Sequence, residues 1–176
     1  LQGITLDQIE CWSDGVWNGG ERDSASVVEE ISTDTRSMEP GAVFVALGPG
    51  AGGHVRREGA TFDGHDFVDE AFERGAVTAV VERSWGSSKV GSRWDQRSLL
   101  LVDDTLRAFG DLARGYRLRF DIPVIAIVGS AGKTTTKEMT AAVLGTRYKV
   151  LKTEGTENNE IGVPKALLRL TAQHQV

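Results

Sequence analysis

Apolar residues in this chain fall into short blocks whose spacing switches repeatedly between that of a helix and that of a strand. Leu6, Ile9 and Trp12 recur at helical intervals after Thr5, which is placed to cap a helix N-terminus. Val27–Ser32 and Val43–Leu47 read as strands. Between them "SMEPGA" sets Pro40 and Gly41 where a tight turn needs a fixed φ followed by a permissive one. Gly48–Ala60 holds too much glycine for anything but a loop. A helix is predicted over Asp66–Arg74, with Phe67, Ala71 and Phe72 on one side and Gly75 just past its end. "VTAVVE" reads as a buried strand and Arg83–Arg97 as a polar loop. "LLLVDD" is a further strand, leading into a helix over Thr105–Arg119 with Leu106, Phe109, Leu112 and Ala113 as its apolar stripe. Beyond Pro123 the pattern gives a strand over 124–128, a glycine loop, a helix over Thr134–Leu144 and a strand over Tyr148–Lys152. A loop with Gly and Asn and a last helix from about Pro164 follow.

Short apolar strands alternating with helices predict an α/β fold with a parallel sheet. Composition turns polar and Gly/Ser-rich between Arg83 and Arg97, which sets the expected boundary between a first module over 1–97 and a second over 98–176. At 176 residues there is room for one good domain or two small ones. With 40% hydrophobic and 26% charged residues the composition is that of an ordinary globular protein. A net charge of -5 argues against a general nucleic-acid binder, which relies on an excess of Lys and Arg. No apolar run approaches the roughly 18 residues of a membrane span. The single cysteine, Cys11, rules out an internal disulfide and fits a reducing cytoplasm.

The chemistry concentrates in "VIAIVGSAGKTTTKEM", Val124–Met139. An apolar strand delivers the chain to a turn where Gly129 and Gly132 let the backbone approach a ligand closely. The N–H groups of Ser130, Ala131 and the helix start converge on one spot, where the helix dipole adds positive potential. Lys133 supplies a full charge for phosphates, Thr134 a hydroxyl suited to Mg²⁺, and Thr135 continues the first turn. The usual G-x-x-x-x-G-K-[ST] pattern is not met, because Ile127 stands at its first glycine. What is present is the shorter G-x-x-G-K-T. The alternative is a glycine-rich helix N-terminus with a surface lysine, and the agreement of strand, loop, Lys, Thr and helix favours phosphate binding.

A phosphate loop shortened in this way resembles that of the Mur ligases and folylpolyglutamate synthetases. "STDTRSMEPGAVFVAL" (32–47), "FDGHDFVDEAFERGA" (62–76) and "LKTEGTENNEIGVPKALLRL" (151–170) are similar in order and spacing to the Mur branch that adds D-alanyl-D-alanine to the peptidoglycan precursor. The resemblance spans essentially the whole chain. It implies a small mixed α/β domain that binds the UDP-sugar end of UDP-N-acetylmuramoyl-tripeptide, followed by the start of a parallel-sheet ATPase domain. It also implies an ATP- and Mg²⁺-dependent ligase working through an acyl phosphate, as a cytoplasmic monomer without nucleic-acid or membrane partners.

Carried over, the resemblance makes Thr33, Asp34, Thr35 and Arg36, together with Phe62, Asp63, Gly64 and His65, substrate-binding. Gly129, Ser130, Ala131, Gly132, Lys133, Thr134 and Thr135 would bind ATP, with Lys133 and Thr134 catalytic and Thr134 at the metal. Asn158 and Asn159 would face the substrate. Each has a plainer alternative: Asp34 and Arg36 as a local ion pair, Asp63 or His65 as a helix cap, Asn158 and Asn159 as a turn before a helix. Two positions depart from the family, with Thr156 where Asn is usual and Ala131 where Asn or Ser is common. No stop signal follows "LRLTAQHQV", which suggests an N-terminal fragment without turnover of its own. The alternative is a free-standing, non-catalytic binding module.

Overall fold

The computed structural model describes residues 1–18, 23, 25–49, 51, 62–88, 97–155 and 157–176. It divides into two compact units, Leu1–Leu112 and Ala113–Val176. The first opens with β1 (Ile4–Thr5) and α1 (Leu6–Ser13). Gln8 Oε1 accepts the Thr5 N–H at 3.1 Å, satisfying one orphan donor at the helix start, and Asp14 closes α1 at φ 54°. Cys11 is exposed on α1.

The main sheet runs in the order β2 (Val16–Trp17), β7 (Leu99–Val102), β6 (Thr78–Glu82), β5 (Val43–Val45), β4 (Ile31–Ser32). Its β2–β7 pair is antiparallel and the remaining pairs are parallel. Val43, Val45, Val80 and Leu100 are fully buried, as are their alternates Phe44, Ala79 and Val81 almost completely. Both faces are therefore covered, as a parallel sheet demands. On one face Phe44, Ala46, Ala79, Val81 and Leu99 pack with Val68 and Ala71 of α2 (Val68–Glu73).

Three expectations need correction in this unit. Val27–Ser32 is not one strand: β3 (Val27–Val28) pairs antiparallel with β1, whereas Ile31–Ser32 joins the main sheet. The switch falls at Glu29 and Glu30, whose backbone groups bond to Gly41 and Val43 across the turn. The polar stretch after β6 begins not as loop but as α3 (Arg83–Ser87), where Gly86 packs so closely on Leu101 that a Cβ would lie 2.5 Å from its side chain. Residues 89–96 of that expected loop, and most of Gly48–Ala60, lie outside the described residues. Finally, the units do not divide near 97. β7 is hydrogen-bonded inside the first sheet, and the division falls within α4 (Thr105–Arg117).

The second unit holds α5 (Lys133–Leu144) and α6 (Gly162–Leu168), close to the predicted helices. Tyr116 is buried, and its hydroxyl donates to the Leu170 carbonyl at 2.7 Å. Arg117 donates to the carbonyls of Phe120 (2.5 Å) and Ile122 (2.6 Å), fixing the approach to Val124. The expected strands over 124–128 and Tyr148–Lys152 carry no strand ladder. An apolar run reports only a capacity for burial. A parallel strand also needs a neighbour to bond with, and Val124, Ile125 and Val128 stand exposed. Among the described residues no helix is long and apolar enough to cross a membrane.

Candidate functional site

The candidate residues of the first unit sit at the carboxyl ends of adjacent parallel strands, where open α/β sheets bind ligands. Thr33–Arg36 follows β4. Asp34 accepts the Arg36 backbone N–H at 3.1 Å, Nε at 2.8 Å and Nη2 at 2.6 Å, an Asx-type turn closed by a fork of charge-assisted bonds. Hydrogen bonding to Asp34, then its charge, holds the guanidinium above its ordinary pKa. The Arg36 side chain is 83% exposed, so it stays available on the outer surface while Asp34 aims it. Thr35 is buried, with only 4% of its surface exposed, and offers little to a ligand in this conformation.

Phe62–His65 is pinned beside the end of β5. The Gly64 N–H donates to the Leu47 carbonyl at 2.8 Å, and a Cβ on Gly64 would meet Leu47 backbone atoms at 2.6 and 2.7 Å. Only glycine fits that approach. Asp63 Oδ1 accepts from the His65 backbone N–H at 3.0 Å and lies 2.6 Å from Nδ1. His65 Nε2 accepts the Glu82 N–H at 2.9 Å, so the ring proton is assigned to Nδ1, facing Asp63. The ring stacks on Trp85 with centroids 5.3 Å apart. Both nitrogens are engaged inside the protein, so His65 is a link between β6 and the turn rather than a free donor to a ligand oxygen. Phe62 stacks on Phe67 at 5.7 Å. On the same strand ends the Gly48 N–H donates to Thr105 Oγ1 at 2.8 Å, beside a small cleft of about 200 Å³ lined by Glu82 and Asp104.

In the second unit the glycine loop runs into α5 as the sequence indicates. Gly132 sits at the helix start with φ 75°, a left-handed conformation that side chains resist, and it brings no capping side chain. The first-turn N–H groups of a helix so started are left to a ligand or solvent. Ser130, Ala131, Thr134 and Thr135 are exposed. Lys133 folds back, its Nζ donating to the Gly129 carbonyl at 2.7 Å, which poises the ammonium over the loop. The loop forms one wall of a cleft of about 640 Å³ to which Gly129, Lys133, Thr134, Lys137 and Asn158 all contribute. Asn159 is used differently. Its carboxamide oxygen accepts from Ile161 (3.2 Å) and Gly162 (2.7 Å), capping the start of α6. Thr156 lies outside the described residues.

Two features of this cleft escape a linear reading. Lys137 stands one helical turn beyond Lys133 on the same face, an i, i+4 spacing present in the sequence. Glu157 pairs with Arg169 at 2.8 and 3.3 Å and accepts the Glu154 N–H at 2.9 Å. Burial alone would raise the Glu157 carboxyl, but Arg169 and that N–H outweigh it and hold the group below its usual range.

Comparison with known proteins bears on the sequence and on the fold. The Mur ligase middle domain family matches residues 127–176. Over 147 residues the chain is 44% identical to the UDP-N-acetylmuramoyl-tripeptide--D-alanyl-D-alanine ligase of Synechocystis, covering 84% of this chain and 29% of that protein. The enzyme of the same name from Escherichia coli is 38% identical over 171 residues, 97% of this chain and 33% of its own length. The crystal structure of MurF from Acinetobacter baumannii superposes with a TM-score of 0.81 at 34% identity, over 99% of this chain and 35% of that one. MurF ligase from Thermotoga maritima, solved in complex with ADP, gives a TM-score of 0.65 at 32% identity, over 83% and 30%. The chain thus spans about a third of the length of the relatives it matches. By sequence and by fold, this chain belongs to the Mur ligase family.

Proposed function

We propose that the chain carries the UDP-substrate part and the opening of the nucleotide part of an ATP-dependent ligase that joins D-alanyl-D-alanine to UDP-N-acetylmuramoyl-tripeptide. The observation that carries the reading is the pairing, in one chain, of a G-x-x-G-K-T loop at the start of α5 with two polar turns on adjacent strand ends, in a sequence similar throughout to ligases of that name. The first unit would take the UDP-muramoyl end of the peptide, with Arg36 toward phosphate and Thr33 and Asp34 toward uracil or ribose edges. Phe62, Asp63, Gly64 and His65 shape that site, the last two by fixing the turn.

The loop residues fit an ATP–Mg²⁺ site. A left-handed Gly132 leaves room for an anion at the helix start, Lys133 stands over the loop, and the Thr134 hydroxyl is exposed. Among the described residues no group of three or more His, Cys, Asp or Glu could hold a metal alone. That suits Mg²⁺, which is usually held by one or two protein groups together with phosphate oxygens and water. Bound there, ATP would supply the phosphoryl group that activates the tripeptide carboxylate for attack by the dipeptide amine. Lys133 would release Gly129 and neutralise charge on the phosphates, the main electrostatic need of phosphoryl transfer. Ser130, Ala131 and Thr135 would add backbone N–H groups, and Asn158 a carboxamide in the same cleft. The setting is cytoplasmic and the state monomeric. A segment spanning a third of its relatives would bind substrate without turnover.

In a polypeptide of the relatives' full length that contains this segment, Lys133→Ala should abolish ligation and leave UDP-ligand binding in place. Retained turnover would refute the role given to Lys133.

A further inference from the structure

We propose that Lys137 is a positioning residue of the nucleotide cleft: it holds the Thr153–Gly155 backbone, and through it Asn158, against the phosphate-loop helix. This rests on the reading of Gly129–Thr135 as a phosphate site. Lysines on helices normally keep their ammonium in water, yet the Lys137 side chain is only 16% exposed. Its three donors turn inward. Two reach backbone oxygens, Thr153 O at 2.7 Å and Gly155 O at 3.2 Å, and Glu138 Oε1 lies 3.4 Å away.

The choice of acceptors is informative. Carbonyl oxygens carry no net charge, and the Glu138 carboxylate beside Lys137 is shared with Lys152, which contacts it more closely. The Lys137 ammonium is thus held mainly by backbone, in a cleft that Lys133 and Glu157 also line. The clamped segment is otherwise tied locally, the Glu154 N–H donating to Glu157 Oε2 at 2.9 Å and the Glu157 N–H to the Glu154 carbonyl at 3.0 Å. Gly155 turns with φ 47°, and the next anchors are Glu157 on Arg169 and Asn159 capping α6. Polar backbone on a short loop opens at low free-energy cost, so a charge-assisted clamp adds measurably to how often the segment sits in place. Lys137 lies one turn from Lys133, so the clamp ties Asn158 to the element that carries the phosphate-gripping lysine.

The test compares Lys137→Met, close in length and a good helix former, with Lys137→Arg, which keeps the donors. In the 176-residue chain, amide hydrogen exchange is read at Glu154, Glu157, Ile161 and Gly162, all hydrogen-bonded donors. Lys137→Met should speed exchange there about tenfold, and Lys137→Arg should stay within about threefold of wild type. Unchanged exchange in Lys137→Met would overturn the proposal, as would an equal rise at Thr136 of α5 and at Gly145, which closes that helix. In the full-length polypeptide, Lys137→Met should lower kcat about tenfold with KM for ATP nearly unchanged, because misplacement costs rate rather than ground-state binding. A raised KM for ATP with kcat intact would mean direct nucleotide contact and would overturn it. Wild-type inactivity would sink the ligase reading itself, a different failure from an active wild type whose Lys137→Met variant keeps its kcat.

Discussion

Replacing His65 by alanine separates a structural linker from a ligand contact. The imidazole accepts the Glu82 N–H at 2.9 Å, stacks on Trp85 and is almost fully buried. Leaving that N–H unpaired costs about 1–2 kcal/mol, toward the lower end because water can reach part of the site. Losing the ring stack costs a further ~0.5–1.5 kcal/mol. The Asp63 pair adds little, since Asp63 is 30% exposed and solvent screens it. The sum is about 1.5–3.5 kcal/mol, a large share of the roughly 5–15 kcal/mol that holds a typical domain. At about 4–8 °C per kcal/mol, the first unit should melt some 10–20 °C earlier. The assay is unusually clean. Trp12, Trp17 and Trp85 lie in the first unit, Trp94 falls within its sequence range, and both tyrosines, Tyr116 and Tyr148, lie in the second. Tryptophan emission therefore follows the first unit by itself. His65→Gln, whose amide oxygen can accept the Glu82 N–H, should recover roughly 1 kcal/mol of the loss. A His65→Ala chain that keeps its full stability but loses affinity for the UDP ligand would refute the reasoning.

Two further outcomes follow from the same structure. Gly64→Ala would drive a Cβ into the Leu47 backbone, and overpacking of this kind should destabilise the first unit by about 2–3 kcal/mol, again read by tryptophan emission. Stability equal to wild type would show that the turn can move away. Glu157 titrates below its ordinary value of 4.5 in the folded chain, so it contributes stability above that pH, and the contribution is lost as pH falls through the folded value. Tyrosine-monitored unfolding of the second unit should weaken below about pH 4.5, and Glu157→Gln should flatten the fall. It should not erase it, because Lys152 also holds the exposed Glu138 carboxyl low. An unchanged slope in Glu157→Gln would contradict the assignment.

Local chemistry was legible in the sequence where it depends on neighbours in the chain. The glycine turn at Gly129–Gly132 and the helix from Lys133 were read within one residue, because φ freedom and helix periodicity are local properties. The amphipathic stripe of α4 was visible for the same reason. Pairing was not. Val27–Ser32 divides between two sheets because Gly41 and Val43, many residues away, claim the backbone of Glu29 and Glu30. Val16–Trp17 is too short to announce itself and exists as β2 only through β7. The acceptor role of His65 was not legible, because it depends on Glu82, 17 residues on. Lys137 drew no reading of its own, because its acceptors, the Thr153 and Gly155 carbonyls, lie 16 and 18 residues further on.

The central claim, that the first unit is built for the UDP-muramoyl end of a peptide substrate, is tested most directly by calorimetry on the 176-residue chain. The chain would be titrated with UDP-N-acetylmuramoyl-tripeptide and, separately, with Mg-ATP. Saturable heat with the UDP ligand and weak or no response to Mg-ATP is the expected result. Tight binding of Mg-ATP with no response to the UDP ligand would contradict the account.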